Sequence, residues 1–216
     1  MQEQSVLLDS HLERGLTNIE NLKNSMLSPF FTFFPLALSL LLCCAVTVWA
    51  APGREGEICY SFPVQPVEKA AFSRGGHSYP GIDIFGKPGT AFVAPVSGTI
   101  EDLQRNDEWD EKNNDAEKKG GRWVSLIGDD GFRYYGSHLE SVSEKIRIGQ
   151  RIRPGEFLGY LGNSGNAGKT PRHLHFGISP ATKPYTWKTR RGEVEPYPFL
   201  QCTLEKGCSP QAVLPK

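Results

Sequence analysis

The 216-residue chain lacks net charge: 24 lysines and arginines balance 24 aspartates and glutamates. That balance removes the electrostatic footprint expected of a nucleic-acid binder. The chain also lacks the composition of a disordered acidic protein, since 38% of it is hydrophobic and 11% aromatic. Cysteine is sparse, at five residues, and no two have CxxC spacing, which argues against a zinc ribbon or a thioredoxin-like redox site. A protein of long helices is disfavoured by its punctuation, since glycine (23) and proline (16) make up nearly a fifth of the chain. Histidine is equally sparse, but four of the five, His77, His138, His173 and His175, fall in one half of the sequence, leaving His11 apart.

Charge is also absent locally. From Met26 to Ala51 the run MLSPFFTFFPLALSLLLCCAVTVWAA has no charged residue. It is long enough for a membrane anchor, which needs roughly 20 apolar residues. It also suits a secretory signal, with Val48-Trp49-Ala50 as a small-x-small cleavage pattern. The two readings stay open, as does a translation start at Met26. Either one sets residues 1–51 apart as a tail plus signal peptide or anchor and sends the remainder out, to periplasm, cell envelope or medium. Residues 51–216 then hold 22 basic and 20 acidic side chains, a mild excess that implies no polyanion partner. Cys59, Cys202 and Cys208 lie in that part, and an oxidising compartment should bridge one pair, leaving one thiol spare.

Strand signals dominate after residue 51. Runs at 90–96, 98–103, 123–127, 132–138, 146–152, 157–161 and 173–178 are rich in β-branched and aromatic residues. Turn formers separate them: Lys87-Pro88-Gly89, Asp129-Asp130-Gly131, Arg153-Pro154-Gly155 and Gly162-Asn163-Ser164-Gly165. This pattern predicts a mainly β fold, a compact antiparallel sandwich or barrel-like domain with few short helices. The highly charged stretch 104–121 reads as a solvated hairpin excursion that could also wall a groove. The division expected is a lead-in at 52–74, a folded domain at 75–180, and a Pro-rich extension with a cysteine pair at 181–216. Glu195-Pro196-Tyr197-Pro198 in that extension is expected to run extended along the surface.

The chemistry resides in the histidines. In RHLHFGI, strand alternation puts His173 and His175 on one face and Leu174 and Phe176 on the other. In HSYPGIDI, Ile82 and Ile84 face the core together, so Asp83 points the opposite way, towards whatever His77 reaches. One histidine, one aspartate and a second histidine supply three mixed nitrogen and oxygen ligands, the usual protein share of a catalytic zinc site. His138, which ends FRYYGSH, suits acid–base work beside such a metal. Taken singly, each has a plainer reading, a surface histidine or a turn aspartate; the combination is what points to metal.

Five blocks in this order resemble the lysostaphin-like, LytM-type zinc metallopeptidases: HSYPGIDI, GTAFVAPVSGTI, YYGSHL, IGQRIRPGEFLGYLGNSGNAG and HLHF, over residues 75–178. The resemblance implies one zinc ion per chain held by His77, Asp83 and His175, with His138 and His173 catalytic. It implies a compact antiparallel β fold and a peptide substrate, the cross-bridges or stem peptides of peptidoglycan. No nucleic-acid partner and a monomeric state are expected. Three departures stand out: the His77–Asp83 spacer exceeds the commoner HxxxD, Gly136-Ser137 lengthens the approach to His138, and Arg172 precedes HLH. Arg172 is a candidate to pair with a substrate carboxylate, the other reading being a solvent-facing arginine, and Asn163 in the glycine turn is the second candidate substrate contact. The alternative to a zinc metalloendopeptidase is a non-catalytic zinc-binding or regulatory envelope module of the same fold. A biotinyl- or lipoyl-type carrier would need a lysine at a hairpin tip, which the glycine-turn strands do not offer.

Overall fold

Two antiparallel sheets carry the hydrophobic core between them in a computed structural model that describes residues 58–205 and 208–215. In chain order the strands are β1 (Val64–Gln65), β2 (Ala70–Ala71), β3 (Ile82–Gly86), β4 (Ala91–Val93), β5 (Gly98–Gln104) and β6 (Trp123–Gly128), then β7 (Phe132–Ser137), β8 (Leu139–Val142), β9 (Arg151–Ile152), β10 (Phe157–Leu161) and β11 (His173–Pro180). The larger sheet has the order β2-β3-β11-β7-β6-β5-β9 and the smaller one β1-β4-β10-β8. Neither closes on itself, so the mainly β expectation holds as an open two-sheet arrangement rather than a barrel. The segment read as signal or anchor, residues 26–51, lies outside the described residues; among those described, no helix is long and apolar enough to cross a membrane.

The core is built from the alternation read in the sequence. Ile82 and Ile84 of β3 and Leu174 and Phe176 of β11 are fully buried. On the facing sheet Phe92 closes against Gly136, where a side chain would lie 2.5 Å from the Phe92 ring and 2.8 Å from Leu174. The glycine that lengthens the approach to His138 is thus a packing site, needed because the two sheets meet there. Asp129-Asp130-Gly131 makes the expected turn between β6 and β7, with Gly131 at φ +83° and its N–H donating to the Gly128 carbonyl at 3.0 Å. Arg133 of β7 is buried and forms a bidentate pair with Glu101 of β5, both bonds at 2.7 Å, which satisfies a charge that would otherwise be costly to bury.

Two expectations are corrected. The run 146–152 is a strand only at its last two residues, because Arg147 to Gln150 folds into a turn with Gly149 at φ +82°. The Glu195–Pro198 stretch is not extended: Pro196–Leu204 is a helix, α2, preceded by α1 (Trp187–Arg190) and followed by α3 (Pro210–Val213). Prolines suit the first turn of a helix, whose N–H groups have no intrahelical acceptor. Glu195 caps α2 by accepting from the Tyr197 N–H at 3.2 Å. The helix buries Phe199 and Leu200 in the main core, where the Phe199 ring lies 5.5 Å from Tyr134 and 6.2 Å from Phe176. Cys202 at its end is bridged to Cys208, leaving Cys59 free and exposed. Phe199→Ala should therefore cost about 3–5 kcal/mol of stability, as expected for a fully buried aromatic. Urea unfolding checks this, and a loss below 1 kcal/mol would show that the extension is only appended.

Candidate metal centre

β3 and β11 are neighbours, and their register sets the site. Asp83 stands directly across from His175, and His175 is in turn paired with Ser137 of β7. The Asp83 Oδ1 lies 3.0 Å from His175 Nδ1 and 3.0 Å from His77 Nε2. These three side chains offer ligand atoms all within 4.8 Å of one another. His77 comes from the turn before β3; its ring stacks on Tyr79 at 4.9 Å and meets His175 edge-on at 4.8 Å.

His138 does not belong to β7. It follows the strand's end with φ +63°, an uncommon conformation for a residue other than glycine. Its backbone N–H donates to the Gly120 carbonyl at 2.9 Å and its Nδ1 to the Ser164 carbonyl at 2.9 Å. The turn brings its ring to 5.0 Å from that of His173 and 6.1 Å from that of His175. Gly120 belongs to the charged excursion and Ser164 to the glycine loop, so both segments brace this one imidazole. The excursion is docked as well as solvated: Asp107 accepts from the Gly165 N–H at 3.0 Å.

A carbonyl oxygen can only accept, so each carbonyl that meets a ring nitrogen identifies the protonated one. Ser164 fixes the proton of His138 on Nδ1, Pro171 fixes that of His173 on Nδ1 at 2.8 Å, and Arg191 fixes that of His175 on Nε2 at 3.0 Å. The His175 tautomer so fixed turns its Nδ1 lone pair on the Asp83 carboxylate. Those two lone pairs repel one another unless a cation lies between them. Two imidazoles and a carboxylate are the donor set of a divalent transition-metal site, and the Arg191 carbonyl is the outer partner that such a ligating histidine needs.

Burial alone would raise the Asp83 carboxyl, but protons on the His175 and His77 nitrogens that face it, together with the nearby His173, outweigh burial and hold the group well below the usual carboxylate range; a cation at the same place would act in the same direction. Burial lowers His138 to about 4, with His175 adding to the shift and the Ser164 hydrogen bond opposing it. His138 is therefore neutral at pH 7, with its Nε2 lone pair free. His173 Nε2 lies 3.9 Å from Asp83 Oδ2.

The five residues singled out in the sequence, His77, Asp83, His138, His173 and His175, thus come together. The two expected substrate contacts do not. Arg172 is engaged elsewhere, in a bidentate pair with Glu140 at 2.7 and 3.1 Å and a bond to the Leu161 carbonyl. Asn163 reaches towards the Gly168 carbonyl within its own loop, and Asn166 is the asparagine on the pocket wall. The 104–121 excursion does wall the pocket, through Glu117 and Lys119, as its alternative reading allowed; sequence reasoning missed Tyr79, Tyr135, Trp187, Arg190 and Arg191. The aromatic and basic cluster Tyr185-Thr186-Trp187-Lys188-Thr189-Arg190-Arg191 was the available signal.

An open two-sheet β fold with a His-Asp-His centre and two further histidines defines a metallohydrolase type of site. Residues 77–187 match the model of peptidase family M23, and the chain belongs to that family. It is 28% identical over 132 residues to the L-Ala–D-Glu endopeptidase of Bacillus subtilis (strain 168); the match covers 59% of this chain and 36% of that relative's own length. Lysostaphin from Staphylococcus simulans superposes with a TM-score of 0.50 at 24% identity, over 69% of this chain and 56% of lysostaphin. The separate catalytic domain of lysostaphin aligns at 26% identity over 67% of this chain and 92% of that domain, with a TM-score of 0.44.

The Arg191 carbonyl reaches His175 because three glycines make room. A Cβ on Gly81 would lie 2.8 Å from the His175 ring and 2.9 Å from the Arg191 oxygen; one on Gly177 would lie 2.5 Å from the Arg191 carbonyl; one on Gly192 would overlap the Pro80 oxygen. Gly177→Ala should displace residues 190–191 and release His175, weakening divalent-metal affinity about 10–100-fold. Competition against a chromogenic chelator measures this, and unchanged affinity would mean that the Arg191 carbonyl does not orient the ligand.

Proposed function

We propose that the chain is an exported zinc metalloendopeptidase that hydrolyses peptide bonds in the cross-links or stem peptides of peptidoglycan. The convergence of His77 Nε2, Asp83 Oδ1 and His175 Nδ1 beside His138 and His173 carries the reading. Zinc suits this donor set, two nitrogens and one oxygen from the protein with room left for water and substrate. Bound there, zinc supplies Lewis acidity, making a water acidic near neutral pH and polarising a carbonyl.

The chain's own residues supply the proton handling. His138, neutral and with Nδ1 tied to Ser164, presents Nε2 as the base that takes a proton from the attacking water. His173 is the second proton carrier: its Nδ1 is tied to Pro171, and an imidazolium at Nε2 is stabilised by Asp83 at 3.9 Å while it serves the leaving amine. One ion per chain and a monomer suffice, because every participating group comes from one chain.

Family membership supports a peptide substrate. The name of the Bacillus subtilis relative, L-Ala–D-Glu endopeptidase, supports a peptidoglycan stem peptide. The uncharged run at residues 26–51 and the Cys202–Cys208 disulfide favour export to an oxidising compartment. Purified peptidoglycan should release fragments only in the absence of chelator, with one zinc per chain by elemental analysis and the scissile bond read by mass spectrometry of the products. His138→Ala should keep its zinc and lose about 100- to 10,000-fold in rate, whereas His175→Ala should lose the zinc. Full activity in His138→Ala would sink the assignment of the base. Zinc binding with no released fragment would identify a non-catalytic envelope module.

A further inference from the structure

Arg191 is held in an unusual state for an arginine at the edge of a pocket. Its guanidinium carbon lies over two aromatic rings, 3.9 Å from the centre of Tyr79 and 4.8 Å from that of Trp187. Among the described residues its side chain has no hydrogen bond and no ion pair. Its neighbour Arg190 differs: it donates to the Glu117 carbonyl at 2.8 Å and rests on Trp123 at 4.4 Å. Stacking uses the two faces of a guanidinium and leaves the N–H groups on its edge free, in the fork that matches a carboxylate.

The position of Arg191 is set by the metal centre. Tyr79 carries Arg191 on one side and is stacked with His77 at 4.9 Å, so the guanidinium is one ring away from a candidate ligand. The backbone of Arg191 is fixed by the His175 ring through its carbonyl. Both Tyr79 and Arg191 line the pocket, with Lys119 and Arg190 as further cations and Glu117 as the opposing carboxylate. The local excess is positive, in a chain whose total charge is zero.

We infer that Arg191 is the specificity-determining residue of this site, binding in bidentate fashion a free carboxylate of the substrate peptide next to the cleaved bond. This rests on the peptidase reading above and narrows it to acidic peptides. The guanidinium is part-buried and held against the Tyr79 and Trp187 rings, so less conformational entropy is lost when the carboxylate docks than for an unsupported arginine. The carboxylate has two sources in a peptide, an acidic side chain or the chain's own C-terminus, and the recognition chemistry is the same for both.

The test uses the full-length chain and synthetic peptidoglycan stem peptides with all carboxylates free, with the side-chain carboxylate alone amidated, or with the C-terminal carboxylate alone amidated. Calorimetry on chelator-treated protein measures binding without turnover, and hydrolysis is followed separately on the zinc-loaded protein. The free peptide should bind at least tenfold more tightly than one of the two amides, and which amide fails identifies the source. Arg191→Gln should abolish that difference and raise KM for the free peptide, with kcat changed less than threefold. Arg191→Lys, which keeps the charge without the fork, should recover only part of it. Arg172→Gln should keep the full preference, its side chain being paired with Glu140. Equal binding of all three peptides by the unaltered protein, or a preference that survives in Arg191→Gln, overturns the inference. Selective binding without any hydrolysis would support it while sinking the catalytic reading; hydrolysis without selectivity would do the reverse.

Discussion

Three backbone carbonyls, those of Ser164, Pro171 and Arg191, each take one ring proton from a histidine, and the chemistry of the site depends on those choices. An imidazole has two nitrogens of nearly equal basicity, and nothing in its own structure says which should carry the proton. Tying the proton of His175 to Arg191 turns Nδ1 towards Asp83, as the proposed ligand role requires. Tying those of His138 and His173 to Ser164 and Pro171 leaves each Nε2 without a proton in the neutral ring, as the proposed proton-handling roles require. The two proposed roles thus differ in which nitrogen is occupied. His77 has no such carbonyl partner among its hydrogen bonds and is placed by stacking on Tyr79 and by Asp83.

Those carbonyls come from loops, and the two sheets are what hold the loops still. β11 is paired on both sides, so His173 and His175 stand on an interior strand of the larger sheet. The register that sets His175 opposite Asp83 is pinned by Leu174 and Phe176 on the other face: a slip of one residue would turn both into the polar site and bury the histidines in the apolar core. The price of fixing a polar site on a buried strand is that its outer face must be covered too. Tyr79, His138 and the 190–192 segment supply that cover, which is why His173 and His175 are each only 4% exposed.

Much of this was legible in the sequence because it is periodic. The alternation in HLHF and in GIDI placed His173, His175 and Asp83 on one side of their strands and their apolar neighbours on the other, and β5 and β10 fall where their β-branched and aromatic runs lie. What was not legible has no side-chain signature. The Arg191 carbonyl is 16 residues from His175, and any residue type could have provided it. The α2 helix was hidden by its prolines, which read as extended chain although the first helical turn tolerates them. Arg172 stands beside His173 in sequence, but it lies in the bend before β11 and pairs with Glu140 instead.

The lengthened spacer between His77 and Asp83 acquires a physical reason from the same contacts. Relative to the shorter HxxxD form, the residues from Ser78 to Ile82 include Tyr79, Pro80 and Gly81, and each is used. Tyr79 stacks between His77 and Arg191; Pro80 meets Gly192 so closely that no side chain fits at 192; Gly81 admits the Arg191 oxygen beside the His175 ring. The spacer and the 190–192 segment are therefore one structural unit, and neither would hold its shape without the other. Shortening the spacer would remove the ring that supports Arg191 and the cavity that receives its carbonyl together. The ligand geometry and the free guanidinium are consequently coupled: a chain that keeps Tyr79 for the arginine also keeps Gly81 and Gly192 for the histidine, so the added residues link how His175 is aimed to what the pocket offers a substrate.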